Sequence, residues 1–109
     1  MQDLLVEINY HRKTLRDAIG QLRARGRKKA EAERDYRIAL AKEILMQREK
    51  GIAVTIISDI CRGNVKIATL KMERDIAETL YESAMQAIYQ NKLEISIIEN
   101  QMKAERRGE

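Results

Sequence analysis

Large apolar side chains recur at helical spacing over the first half of this chain, at Leu4, Ile8, Leu15, Ile19 and Leu22 and again at Tyr36, Leu40 and Ile44, with polar and charged residues filling most positions between. That spacing holds one stripe on one side of an α-helix and predicts a helix from about residue 3 to 50. At about 1.5 Å per residue it runs roughly 65 to 70 Å, longer than a compact domain of this mass holds, so an extended or bent arrangement is expected. Gly20 and Gly26 are the places to bend. The helix is expected to stop at Lys50-Gly51, because a glycine just past the last turn can adopt the left-handed conformation that closes a helix.

The connector from Gly51 to Asn64 admits two readings. Its β-branched start, with Val54, Thr55, Ile56 and Ile57 in succession, can form a short strand, but a lone strand leaves its backbone groups unpaired unless it pairs across a dimer. The preferred reading is a short helix, capped by Thr55 or Ser58 and terminated by Gly63. Ile52, Val54, Ile56, Ile57 and Ile60 make this segment apolar, so it is expected to pack on the long helices or on a neighbouring subunit.

Asn64 is placed to cap a second long helix from 65 to about 104. Its main stripe is read as Val65, Ala68, Met72, Ile76, Leu80, Ala84, Ile88, Ile95, Ile98 and Met102. Two long helices with a short linker predict an all-α fold: a long antiparallel, coiled-coil-like hairpin forming a single domain over 1–109. A hairpin partner covers one side only. Tyr81, Met85, Tyr89, Leu93 and Ile97 lie beyond that side and form the candidate oligomer or partner interface. The tail Glu105-Arg106-Arg107-Gly108-Glu109 is expected to fray.

Composition narrows the picture further. With no Pro, Phe or Trp and 35% charged residues in 109, the core is thin, and Ala and Ile supply much of it. Ordering a chain costs roughly 1.5 kcal/mol per residue, which so little interior offsets poorly, so a homo-oligomer is expected. The apolar runs are too short to cross a membrane, and the first residues lack the basic flank and apolar centre of a signal peptide. Cys61 is the only cysteine, which fits a reducing compartment; a cytoplasmic location is expected, with Cys61 a small buried apolar residue.

The net charge of +4 is localised. Residues 23–34 hold six basic and two acidic side chains, while the remainder holds fifteen of each sign. Because successive residues rotate by about 100°, Arg23, Arg25, Arg27, Lys28 and Lys29 form a collar rather than a face. With Arg34, Tyr36 and Arg37 they form the candidate anion-binding set, for nucleic-acid phosphates, a nucleotide or an acidic protein; the other reading of the stretch is a solvated helix segment with local Glu31 and Glu33 pairing. Tyr36 between Arg34 and Arg37 can stack a base; equally it falls in step with Leu40 and Ile44 as a stripe residue, with Asp35 bridging its neighbours.

Catalytic and cofactor signatures are not found. The glycines are isolated, one His and one Cys cannot build a zinc site, and Glu73, Asp75, Glu78 and Glu82 alternate with Lys71 and Arg74 as surface charges do. His11, beside Tyr10 and Arg12, reads as a surface or interface residue. No catalytic residue, cofactor or metal is assigned.

The run Ala32-Glu33-Arg34-Asp35-Tyr36-Arg37-Ile38-Ala39-Leu40-Ala41-Lys42-Glu43-Ile44, the connector Val54-Thr55-Ile56-Ile57-Ser58-Asp59, and Lys71-Met72-Glu73-Arg74-Asp75-Ile76-Ala77-Glu78 with Tyr81-Glu82-Ser83-Ala84 resemble small helical proteins encoded by phages and prophages of Gram-positive bacteria. The resemblance spans about two thirds of the chain. Ser58-Asp59 stands where that group carries a proline. The resemblance implies a phage accessory protein acting inside the infected cell, and it transfers no site residue. The expectation is therefore a non-enzymatic, homo-oligomeric protein binding an anionic ligand, with an adaptor or inhibitor of a host protein, or a structural phage component, as alternatives.

Overall fold

A computed structural model of the chain describes residues 2–108. These residues are all-helical, without a strand: α1 spans Gln2–Glu49, α2 spans Val54–Gly63 and α3 spans Val65–Arg106. Each boundary has a local cause. At the end of α1 the Gly51 N–H donates to the Arg48 carbonyl at 3.0 Å and the Ile52 N–H to the Gln47 carbonyl at 3.2 Å. Gly51 sits at φ +78°, so this is the paired closure that a left-handed glycine permits.

The connector is helical, and the strand reading is overturned for it. A helix satisfies its backbone groups within the segment, and it places Ile57 and Cys61, four apart, on one buried face. The expected cap is corrected as well. The helix begins at Val54, before both Thr55 and Ser58, behind an extended Ala53 that makes no side-chain cap; the Ala53 carbonyl accepts from the Ile56 N–H at 3.1 Å instead. Gly63 ends α2 as expected. Asn64 then caps α3: its Oδ1 accepts from the Ile67 N–H at 3.1 Å, and its carbonyl accepts from the Ala68 N–H at 2.9 Å.

α1 runs through Gly20 and Gly26 as unbroken helix. α3 continues two residues beyond the expected end, through Glu105 and Arg106, before a turn at Arg107 and Gly108; Glu109 lies outside the described residues.

The covered positions of α3 alternate in steps of three and four: Ile67, Leu70, Arg74, Ala77, Tyr81, Ala84, Ile88, Asn91, Ile95, Ile98 and Met102. α1 shows the same alternation at Leu4, Ile8, His11, Leu15, Ala18, Leu22, Arg25, Lys29, Ala32 and Tyr36. That alternation is the heptad rhythm of helices packed along their length. It corrects the stripe read from sequence. Steps of four rotate by about 40° each, so a row drawn that way walks out of a seam that turns by only about 20° in seven residues. Counting back from the buried Ala84, exposure is 43% at Leu80, 51% at Ile76 and 55% at Met72. Val65 is exposed too, Ile19 yields its expected place to Ala18, and Tyr81, expected on the outer row, is half-buried in the seam.

The chain packs as two compact units. One joins Met1–Arg25 with Tyr81–Glu109, and the other is Gly26–Leu80. In the first, Ile8, Ala84 and Ile98 are buried, and His11 Nδ1 lies 3.3 Å from Asn91 Oδ1, which accepts from the ring when that nitrogen carries the proton. In the second, Ile57, Cys61 and Ile67 are buried together with Gln47, whose amide donates to Glu43 at 2.9 Å.

Removing either end signal is expected to show in thermal or denaturant unfolding. Asn64→Ala costs about 1 kcal/mol by stripping a cap, and Gly51→Ala costs about 1 kcal/mol by forcing a Cβ into left-handed backbone. The seam assignment has its own check. Ile67→Ala is expected to cost roughly 2 to 5 kcal/mol, and Val65→Ala, two residues away, to stay within about 0.5 kcal/mol; equal costs would contradict the assignment.

Candidate functional site

Three surfaces carry the chemistry of this chain, and each follows from which helix positions the packing leaves uncovered.

The first is the basic segment. Arg23 and Arg25 lie in the unit built from the chain ends, with Arg23 exposed and Arg25 half-buried. Arg27, Lys28, Lys29, Arg34, Tyr36 and Arg37 lie in the central unit. Three of these charges are met on the same helix: Arg27 Nε donates to Glu31 at 2.9 Å, Arg34 Nε to Asp35 at 3.1 Å, and Arg37 Nε to Glu33 at 2.7 Å. All three pairs are solvent-exposed, so each adds little stability. Their effect is to lower the local field that an anion would meet. Lys28 is exposed and Lys29 half-buried.

Tyr36 is half-buried, and one face of its ring is taken by Arg74, whose Cζ stands 4.6 Å from the ring centroid. Arg74 occupies a seam position of α3 with its side chain only 22% exposed. The cation is held there by Asp75 at 3.1 Å and Glu33 at 3.6 Å as well as by the ring. The hydrogen bond to the Asp75 carboxylate drives its basicity above the ordinary arginine range, with burial acting the other way. Tyr36 thus serves the packing of α1 on α3, and Asp35 bridges to Arg34 as its place in the sequence allows.

The second surface is the outer row of α3. Met85, Tyr89, Leu93 and Ile97 stand exposed at 49%, 61%, 41% and 52%. They recur every fourth residue, so they form one continuous apolar ridge; Tyr81, counted with them in the sequence, turns inward instead.

The third surface is a groove of about 1050 Å³ in the central unit. Two rows with four-residue spacing form its walls, Tyr36, Leu40, Ile44 and Arg48 from α1 and Ala68, Met72, Ile76 and Leu80 from α3. Ile57 and Cys61 of α2 close its floor, and Arg48, Arg62 and Lys71 stand among its lining residues. Arg62 approaches Asp59 at 3.8 Å across open solvent, and Asp75, the acidic lining residue, is engaged by Arg74. Arg48 and Lys71 form no ion pair among the described residues. Reading the α3 wall as core hid this groove in the sequence. The signal was nonetheless present, since two unbroken rows at four-residue spacing on neighbouring helices must diverge from a heptad seam.

Cys61 is buried, and no cluster of three or more His, Cys, Asp or Glu side chains fit to hold a metal occurs among the described residues. None of the helices is long and apolar enough to cross a membrane. Comparison of the chain with known protein families, curated proteins and solved structures finds no match.

Proposed function

We propose that the chain is a non-enzymatic helical assembly protein of phage origin, working in the cytoplasm of an infected cell, in which α1 and α3 pair antiparallel and copies associate through the outer face of α3. One observation carries this reading: Met85, Tyr89, Leu93 and Ile97 make an apolar ridge that the chain itself leaves in water. Soluble monomers rarely tolerate such a surface, and apolar area removed from water contributes about 25 cal/mol per Å². The thin interior supports the same reading, because no large side chain among the described residues is fully enclosed.

A second reading, an anionic ligand on the basic segment, draws on the charge excess of four confined to residues 23–34. The pairing of Arg27, Arg34 and Arg37 with neighbouring carboxylates weakens it relative to the first. A nucleic acid or nucleotide then joins an assembly already formed. Docking of a host protein on the ridge is the corresponding alternative for the apolar surface.

The assembly reading is tested by sedimentation velocity over micromolar to millimolar concentration. The parental chain is expected to associate, and Tyr89→Glu, which sets a charge in the middle of the ridge, to weaken association by about thirtyfold or more; unchanged mass for that variant would overturn the reading. For the basic segment, Arg25→Glu with Lys28→Glu is expected to abolish a salt-sensitive gel shift with nucleic acid. Equal shifts for variant and parent would end the second reading.

A further inference from the structure

We infer that the groove of one copy is filled by the α3 ridge of a second copy, so that unlike patches meet in the assembly. This inference rests on the self-association proposed above and specifies how it is made.

Shape comes first. Leu40 and Ile44 on one wall and Met72, Ile76 and Leu80 on the other belong to rows with four-residue spacing, and such rows leave a channel that takes a third helix presenting a row of the same pitch. Met85, Tyr89, Leu93 and Ile97 are such a row. The α3 wall from Ala68 to Leu80 and the ridge from Met85 to Ile97 each span thirteen residues, about 18 Å of helix, so the two match in length. Aromatic and methionine side chains of the ridge meet aliphatic walls, as in helix-in-groove recognition.

Charge then selects the pairing. The groove carries Arg48, Arg62 and Lys71, and its one lining acid is already held by Arg74. Within the ridge, residues 85–97, Lys92 and Glu94 cancel, and its acidic groups stand at the two ends, Glu78 and Glu82 before Met85 and Glu99 after Ile97. Ridge into groove therefore sets acidic ends against a basic rim. Pairing like patches loses this: groove against groove opposes three cations with the same three, and ridge against ridge opposes two acidic segments. Under two-fold symmetry this contact is made twice, each copy giving its ridge to the other's groove; otherwise each added copy presents a fresh groove and a fresh ridge, which yields a ring or an open chain.

The experiment uses two full-length variants, each defective in one half of the contact. Tyr89→Glu spoils the ridge and leaves the groove, while Met72→Glu spoils the groove and leaves the ridge. In sedimentation velocity each alone is expected to be monomeric, and an equimolar mixture to form a dimer of one copy of each and nothing larger. Met72→Glu assembling as the parent does, with Tyr89→Glu monomeric, overturns the ridge-in-groove contact and leaves self-association standing. Two monomeric variants that fail to combine overturn it equally, and a parental chain that stays monomeric to millimolar concentration removes both proposals. Should Met72→Glu lose its helical circular dichroism, the exposed charges decide: Lys71→Glu is expected to weaken association about tenfold, and Glu82→Lys with Glu99→Lys in the mixed-in copy to restore it. Absence of that rescue overturns the contact.

Discussion

An α-helix can hide one stripe of its surface against one neighbour, and most of this chain's organisation descends from that limit. The covered positions of α1 and α3 include an alternation of three and four, in which small or polar residues take several places: the α3 seam contains Ala77, Ala84, Asn91 and Arg74 beside Leu70, Tyr81, Met102 and its isoleucines. Small and polar seam residues let the helices approach but remove little apolar surface from water. Several further large apolar residues lie outside the seam. Met72, Ile76 and Leu80 thus line a groove, and Met85, Tyr89, Leu93 and Ile97 form a ridge.

Arg74 shows how the seam accommodates a charge. Taking a guanidinium out of water is costly unless its donors are met, and here Asp75, Glu33 and the face of Tyr36 meet them together. The arrangement fixes Glu33, which also receives Arg37, and thereby ties the end of the basic segment to α3. The ring of Tyr36 is thereby committed to holding two helices in contact. Carboxylates four residues away or next in sequence answer Arg27, Arg34 and Arg37, within the same balance of charge that the sequence shows.

The ends of the elements were legible because end signals are local. Gly51 and Asn64 act through their own backbone and side chain within a few residues, and both perform the roles that their residue types imply. The helical nature of the connector was legible on the same terms, although its start was misjudged: Ala53 contributes only a carbonyl, and no side-chain signature announces it. The facing of α3 was less accessible. Steps of four and alternating steps of three and four both look helical over two turns, and they diverge only over five or six, when the 40° drift has accumulated. The composition also misled, because Met72, Ile76 and Leu80 are the bulkier residues while the seam selects Arg74 and Ala77, which apolar scoring passes over. The ridge residues after Met85 were legible since they fall outside either count.

The hydrogen-bonded contact of His11 with Asn91 sets two polar groups in an otherwise apolar stretch of seam, with Ala84 and Ile98 buried one heptad to either side of Asn91. Repeating patterns of small and aliphatic residues are tolerant of sliding, for a shift by seven returns like to like. Here such a slip would press the imidazole against Ala84 or Ile98 and strand the amide opposite hydrocarbon, each group losing its partner. The pair thus acts as a pin for alignment, trading some packing for a single way of meshing.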